Sequence, residues 1–183
     1  QVNQFEVADK VADAMSDAMN SQGIIAICNI KERQVSELNG KNIVYLYEIQ
    51  DPGNAGTILR TADAMGIEAI VTSPGSVDFY SPKVVRATAG SLWHTPIYSG
   101  IEIGELAKLL PSHKLRILDG SSEKRIYDVD FSQPAIWIFG NEARGIKEEI
   151  IGAERVSISM PGNAESLNLA AAAAIVMHEI SRG

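Results

Sequence analysis

VSISMPGNAESLNLAAAAAIVMHEI, residues 156–180, is the stretch that decides the fold of this chain. Alternating apolar residues over 156–160 predict a strand. Pro161-Gly162-Asn163 ends it, because proline cannot extend a ladder and Gly-Asn favours a turn. A helix is predicted to open at 166–168 and to run through five alanines, 170–174. Alanine is the best helix former and has a small side chain, so this helix is expected to pack closely against a neighbour.

Strands and helices alternate along the rest of the chain. Short connections between them are typical of an α/β domain in which a mostly parallel sheet carries helices on both faces. Asn54 and Ser81 are the predicted N-caps of two of the helices. The predicted strands cover 24–30, 42–49, 69–73, 95–99, 114–121 and 135–140, and the predicted helices cover 3–19, 54–65, 81–90, 104–110 and 146–152.

Composition limits the classes of protein that need to be considered. The chain has 183 residues, of which 45% are hydrophobic, enough for one ordinary domain with a full core. Cys28 is the single cysteine, which excludes an internal disulfide and a cysteine metal cluster, and the three scattered histidines add no metal-ligand spacing. Without a membrane-length apolar run or a signal peptide, we expect a soluble protein in a reducing, cytoplasmic setting, with no metal.

The charge balance is acidic, with a net charge of −7 and a pI near 5.0. Nucleic-acid-binding domains usually carry a basic footprint, so this balance argues against a large RNA contact by this domain alone. A local basic patch remains compatible with it, and the cations that would form one are Lys83, Arg86, Arg125, Arg144 and Lys147.

Three polar, glycine-containing loops each follow a predicted strand. They contain Gly53-Asn54-Ala55-Gly56, the segment 139–146 and the ESLN of residues 165–168. Ligands of open α/β sheets bind at such carboxyl ends. The loops match neither GxGxxG nor the P-loop pattern, which disfavours a Rossmann nucleotide enzyme. Taken singly, each loop is also compatible with an ordinary turn between a strand and a helix.

Together, NxGxxxR (54–60), GNEARG (140–145) and ISMPGNAESLNLAAAAA (158–174) resemble the three motifs of the SpoU/TrmH family of RNA ribose 2′-O-methyltransferases, in the SPOUT superfamily. The resemblance runs from about residue 20 to the C-terminus. It implies that 23–183 is a SPOUT methyltransferase catalytic domain. It also implies that 1–22 is a helical connector from a missing N-terminal RNA-binding domain.

The resemblance further implies a C-terminal deep trefoil knot, S-adenosyl-L-methionine as cofactor, and a homodimer with the active site near its interface. RNA is the implied substrate, with ribosomal RNA favoured over tRNA. By match, the catalytic set is Arg60, Asn54, Glu142, Ser166 and Asn168. The cofactor-binding set is Leu118, Asp119, Gly120, Gly140, Asn141, Glu142, Ile158, Met160, Ser166 and Leu167.

Several roles remain open from the residues alone. Arginine is a very weak acid, so using Arg60 as a general base at pH 7 would cost about 7.5 kcal/mol. A guanidinium that stabilises the forming alkoxide or grips a phosphate is at least as plausible as a general base. A buried ion pair with Glu142 is the structural alternative for Arg60. The corresponding alternatives are a helix cap for Ser166 and a buried, backbone-satisfied amide for Asn168.

Two further alternatives concern function. The chain could be a non-catalytic RNA-binding or dimerisation module on the same fold, although the complete polar set argues against this. Trp93 and His94 could stack on a base, but a half-buried core tryptophan is the favoured interpretation of Trp93.

Overall fold

The computed structural model describes residues 3–16, 23–30, 33–38, 40–146 and 149–182. The chain divides into two compact units, Gln1–Glu32 and Arg33–Gly183. The sequence places the domain boundary between residues 22 and 23, ten residues earlier than this division. The role of the first unit as a connector stays a prediction.

The first unit contains one short helix, α1, over Asp9–Met15. It covers part of the predicted helix 3–19, of which 17–19 lie outside the described residues. The predicted strand at 24–30 is wrong, since these residues form no ladder in the described part of the chain. Ile24 and Ile27 are exposed. Branched apolar residues suit a strand, but a strand also needs a partner for its backbone groups, and no residue that the structure describes pairs with this segment.

The second unit is built on one six-stranded sheet in the order β3-β2-β1-β5-β4-β6. All neighbouring strands run parallel. The predicted parallel α/β architecture is therefore confirmed. The strands are β1 Asn42–Leu46, β2 Ala69–Thr72, β3 Ile97–Tyr98, β4 Lys114–Leu118, β5 Ala135–Phe139 and β6 Glu154–Val156.

Helices cover both faces of this sheet. Alternate residues of a strand face opposite sides, so Val44 and Tyr45 of β1 enter two different cores. One core is shared with three of the helices and the other with the fourth. The first three are α2 Pro52–Ala64, α3 Pro82–Ala87 and α5 Leu169–Arg182, and the fourth is α4 Ile103–Leu109.

The N-terminus of α2 lies earlier than predicted. Asp51, rather than Asn54, is its N-cap, because the Asp51 carboxylate accepts a hydrogen bond from the Asn54 backbone N–H at 2.6 Å. The prediction for Asn54 is therefore wrong. The side chain of Asn54 does not cap its own helix and is therefore available for contacts in the candidate site.

The segment around α5 also differs from the prediction. β6 ends at Val156 instead of continuing to residue 160, and the helix begins at Leu169. Asn168 caps it, accepting hydrogen bonds from the N–H groups of Ala170 (2.9 Å) and Ala171 (3.3 Å). The alternative that made Ser166 the cap is wrong. The described residues of the predicted helix 146–152 are not helical.

The alanines of α5 pack closely, as predicted. Ala170, Ala172 and Ala173 are buried in the core that α5 shares with α2.

Gly56 permits an equally close approach between α2 and α3. A Cβ on Gly56 would lie 2.9 Å from the carbonyl carbon of Ala87 and would overlap the Ala87 Cβ. We expect Gly56→Ala to lower the free energy of unfolding by about 2 kcal/mol in urea titrations, because overpacking outweighs alanine's better helix propensity. Gly104→Ala in α4 is the control, since a Cβ there meets nothing within 4 Å. Stabilisation by both substitutions would contradict the close packing.

Candidate active site

A cavity of about 450 Å³ opens beside the carboxyl ends of β4 and β5. The residues that line it come from the first turn of α2, the end of β4, the segments that follow β4, β5 and β6, and the start of α5. In a parallel sheet these carboxyl ends lie at one edge, where α/β proteins bind ligands. The lining residues are Asn54, Leu118, Gly120, Gly140, Asn141, Glu142, Gly145, Ile158, Met160, Glu165, Ser166, Leu167, Asn168, Leu169 and Ala172.

Eleven of the thirteen residues predicted for catalysis or cofactor binding line this cavity, and Arg60 and Asp119 do not. Four lining residues are additional to the prediction. Gly145 and Glu165 lie within the motifs GNEARG and ESLN, so these motifs could have identified both residues as part of the site. Leu169 and Ala172 are three residues apart on α5, and helical spacing from Ser166 would have indicated both.

Side-chain hydrogen bonds join the three motifs. The Glu142 carboxylate accepts from Asn54 Nδ2 (3.3 Å) and from the backbone N–H groups of Asp51 (3.3 Å) and Gln50 (3.4 Å). Asn54 Oδ1 in turn accepts from Asn168 Nδ2 at 3.0 Å. Since the Asn168 oxygen caps α5, both ends of this chain of contacts are tied to helix N-termini, where carbonyl and carboxylate oxygens are favourably placed.

Glu48 anchors the 140–145 loop to the end of β1. Asn141 Nδ2 donates to the Glu48 carbonyl at 2.8 Å, and Arg144 Nη2 donates to the Glu48 carboxylate at 2.7 Å. Glu48 has a φ of +48°, a left-handed conformation that costs a side-chain-bearing residue about 1–2 kcal/mol. The strained backbone turns the Glu48 carbonyl toward Asn141, and the two contacts fix the loop that carries Glu142.

Arg60 lies apart from the cavity, exposed on α2. Six residues separate it from Asn54, which is about 240° around the helix. The alternative of a buried ion pair with Glu142 is wrong, because Arg60 is exposed and the Glu142 carboxylate is taken by donors of residues 50–54. Asn168 is also exposed rather than buried.

Asp119 is committed to the turn beside the cavity. Its carboxylate accepts from Ser121 Oγ (2.7 Å) and N–H (2.9 Å) and from Arg155 Nη1 (2.6 Å). These hydrogen bonds, those from Ser121 first, hold the pKa of Asp119 below its ordinary value of 3.8. Because all three donors belong to the protein, the carboxylate secures this turn.

The lowered pKa of Asp119 predicts a stability change in acid. A depressed carboxyl pKa contributes stability above the ordinary value of 3.8, and this contribution is lost as the pH falls toward the folded-state pKa. We expect urea unfolding below about pH 4 to show a steeper loss of stability for the wild type than for Asp119→Asn. Parallel pH profiles of the two proteins would contradict this role of Asp119.

The connection between β4 and β5 pairs with the residue that follows β6. The buried Ser157 donates its N–H to the Lys124 carbonyl (2.9 Å), and its carbonyl accepts from the N–H of Ile126 (2.9 Å). Ser157 Oγ donates to the Ser122 carbonyl (2.8 Å) and accepts from Arg125 Nη1 (2.8 Å). Residues 122–126 therefore hold the chain at Ser157 on its way to the cavity.

The described cations of the predicted basic patch are all exposed, but two of them make contacts within the chain. Arg125 contacts Ser157 and Arg144 contacts Glu48, so both serve the structure of the loops. Lys83 and Arg86 are exposed on α3. Lys147 lies outside the described residues.

Trp93 is exposed over 63% of its surface. The interpretation of this residue as a half-buried core tryptophan is wrong. Its neighbour Leu92 packs against the core instead, which leaves the indole pointing outward.

Neither a metal site nor a membrane span is present in the part of the chain that the structure describes. No group of three or more His, Cys, Asp or Glu side chains there is placed to hold a metal ion. No helix there is both long and apolar enough to cross a bilayer.

The fold and the cavity define a parallel α/β protein with a cavity of small-molecule size at the carboxyl edge of its sheet. The chain belongs to the SpoU rRNA Methylase family, whose sequence profile matches residues 41–178.

Comparison with individual proteins gives the same family. The chain is 31% identical to an uncharacterized tRNA/rRNA methyltransferase of Synechocystis, covering 99% of this chain and 68% of that protein. It is 27% identical to the 23S rRNA (guanosine(2553)-2′-O)-methyltransferase RlmP of Bacillus subtilis, covering 96% and 71%. The crystal structure of an AdoMet-bound rRNA methyltransferase from Sinorhizobium meliloti superposes with a TM-score of 0.85 at 29% identity, covering 96% and 70%.

Proposed function

We propose that this chain transfers a methyl group from S-adenosyl-L-methionine to a ribose 2′-hydroxyl of RNA, with ribosomal RNA as the favoured substrate. The observation that carries the proposal is the hydrogen-bonded series Glu142–Asn54–Asn168 at the mouth of the cavity. Family membership supports the reaction. The RlmP relative, a 23S rRNA 2′-O-methyltransferase, supports the substrate, and the AdoMet bound in the S. meliloti structure supports the methyl donor.

The cavity fits such a cofactor in size and charge. Its volume of about 450 Å³ is that of a small-molecule site. Leu118, Ile158 and Leu167 supply apolar surface for a nucleoside, and the space beside the backbone of Gly120 is open, since a Cβ there meets nothing within 4 Å. Two carboxylates and no cationic side chain line the cavity in the described residues, which suits a positively charged sulfonium.

The residues of this chain supply orientation and charge to the reaction. When bound, S-adenosylmethionine supplies a methyl group on a positively charged sulfur. Asn54 and Asn168, held by Glu142, would position the ribose, and such orientation is a major source of rate enhancement. The guanidinium of Arg60 would stabilise the negative charge that develops on the 2′-oxygen as the hydroxyl proton leaves to solvent.

A second copy of the chain is part of the proposal. Arg60 is exposed and lies outside the cavity of its own chain, so a homodimer that places Arg60 of one copy at the cavity of the other would complete the site. We also propose that the C-terminal segment forms a trefoil knot. The hydrogen bonds that join Ser157 to residues 122–126 support this proposal.

The remaining parts of the proposal concern setting and organisation. We place the activity in the cytoplasm, because a bacterial relative acts on ribosomal RNA, and assign residues 1–22 as the helical connector to an RNA-binding domain. tRNA is the alternative substrate.

Two measurements test the proposed function. Calorimetry with S-adenosylmethionine should show binding, and absence of binding would favour the non-catalytic module. Mapping of 2′-O-methyl positions in total RNA, with and without the gene, should show one or more sites that depend on it. A site in tRNA alone would contradict the preference for ribosomal RNA.

A further inference from the structure

We propose that Trp93 is a stacking platform for an unpaired nucleobase of the RNA substrate, next to the nucleotide that is methylated. This inference rests on the proposed function. It assigns a binding role to the turn between α3 and β3, which lies outside the three motifs.

The first observation is the exposure of a large aromatic side chain on a rigid turn. Trp93 ends a short 3-10 helix, Ser91–Trp93, and 63% of its surface is exposed. Ala89 and Gly90, just before this helix, have φ values of +49° and +98°. A left-handed alanine persists only where surrounding structure holds it. The side chains of Thr88 and Ser91 are buried on either side, so the turn is anchored while the indole projects outward.

The second observation is the position of this turn on α2. His94 Nδ1 lies 3.0 Å from Asp63 Oδ2, which fixes the turn to the C-terminal half of α2. Arg60 is three residues before Asp63, and residues with this spacing are neighbours on a helix surface. Trp93 is therefore close to Arg60, the exposed cation that we assign to the reacting ribose.

The geometry of α2 places this platform beside Arg60 and away from the cavity of its own chain, so that it would serve the same partner cavity as Arg60. Asn54 and Asp63 are about 180° apart around the helix and about 14 Å apart along it. Arg60 lies between them on the exposed face. An RNA strand crossing this face would meet the indole at one edge and Arg60 in the middle, with its ribose or phosphate on the guanidinium.

The chemistry of the surface favours RNA as its occupant. Aromatic rings stack on bases of any identity, and arginine guanidinium groups form bidentate hydrogen bonds with phosphates. Since a duplex keeps its bases stacked on one another, the platform requires an unpaired base. A protein with a net charge of −7 gains little general attraction to RNA, so local contacts of this kind must supply much of the affinity.

The two tryptophans make the test direct, because Trp137 is fully buried. Quenching of fluorescence by acrylamide therefore reports Trp93. We expect Trp93 to be accessible in the free protein, and a short single-stranded RNA of mixed sequence to protect it. A duplex of the same composition should protect it less. Trp93→Phe should abolish the fluorescence response.

Affinity measurements complete the test. Trp93→Ala should bind the single-stranded RNA about 5- to 150-fold more weakly, the range for loss of one stacked base. Trp93→Phe should lose less. The control is Leu109→Ala, which removes an exposed apolar side chain from α4 on the other face of the sheet and should leave RNA affinity unchanged. Affinity for S-adenosylmethionine should be unchanged in all three variants.

Two outcomes would overturn the proposal. One is that Trp93 is already shielded from acrylamide before RNA is added, and more so at higher protein concentration. Trp93 would then lie in a contact between copies of the chain. The other is RNA binding that neither protects Trp93 nor weakens in Trp93→Ala. In either case, RNA methylation by the wild type would still support the proposed function. If RNA protects Trp93 but is not methylated, the proposed reaction is contradicted and the stacking role of Trp93 is not.

Discussion

Arg60→Ala is expected to reduce methyl transfer to RNA by about 100- to 1,000-fold while leaving the affinity for S-adenosylmethionine unchanged. Removal of one donor that stabilises a developing oxyanion costs a rate factor of about this size. The cofactor affinity should be unaffected because Arg60 does not line the cavity of its own chain, and at the partner's cavity we assign it to the ribose and not to the cofactor. Single-turnover methylation and calorimetry measure the two quantities separately. A near-wild-type rate would contradict the role assigned to Arg60.

The control for charge alone is Arg60→Lys. Lysine keeps the positive charge but lacks the planar fork that grips ribose and phosphate oxygens. We expect a rate between those of the wild type and Arg60→Ala. A rate equal to that of Arg60→Ala would show that the fork geometry, rather than the charge, is essential.

Mixing inactive variants tests whether Arg60 acts on the partner's cavity. Arg60→Ala and Glu142→Ala, refolded together, form mixed dimers in which one cavity has both an intact Glu142 and an Arg60 from the other copy. Activity should therefore return on mixing if the site is shared. If Arg60 serves the cavity of its own chain, no cavity in a mixed dimer is complete and the mixture stays inactive.

Glu142→Ala is expected to reduce methyl transfer by about 100-fold and also to weaken cofactor binding. The carboxylate accepts from three donors at the start of α2, among them the Asn54 amide. Its loss frees Asn54 from its orientation and loosens the wall of the cavity, and a small misplacement of a positioning group can cost about 100-fold. Methylation rates and calorimetry again give the measurement.

Glu142→Gln and Glu149→Ala are the matched controls. Glutamine keeps one oxygen that can accept from Asn54 Nδ2, so a smaller loss is expected. Glu149 is an exposed carboxylate outside the cavity, and its removal should change neither rate nor affinity. Equal effects of Glu142→Ala and Glu149→Ala would mean that net charge, not the contact with Asn54, matters.

Much of the fold follows from local sequence. Branched apolar runs such as 42–49 and 135–140 mark buried strands, and the alternation with helices predicts a parallel sheet. The run at 24–30 has the same character but forms no ladder in the described residues. A strand forms only when another strand pairs with it, and local sequence does not determine which strands pair. The order β3-β2-β1-β5-β4-β6 is non-local for the same reason.

The candidate site was likewise predictable in part from local sequence. The motifs predicted which loops would meet, because carboxyl ends of parallel strands share one edge. Which side chain takes which role depended on competition between neighbours. Asp51 displaced Asn54 as the cap of α2, and Asn168 displaced Ser166 as the cap of α5. Ser121 and Arg155 claimed the carboxylate of Asp119, a contact set that spacing along the chain does not reveal.

The most direct measurement is transfer of label from S-adenosylmethionine carrying an isotopically labelled methyl group to ribosomal RNA, followed by alkaline hydrolysis. A methyl group on the 2′-oxygen blocks cleavage of the adjacent phosphodiester. We predict that the label appears in alkali-resistant dinucleotides and that Arg60→Ala abolishes it. Label found in mononucleotides carrying a methylated base, or no label in RNA despite cofactor binding, would contradict the assignment of this chain as a ribose 2′-O-methyltransferase.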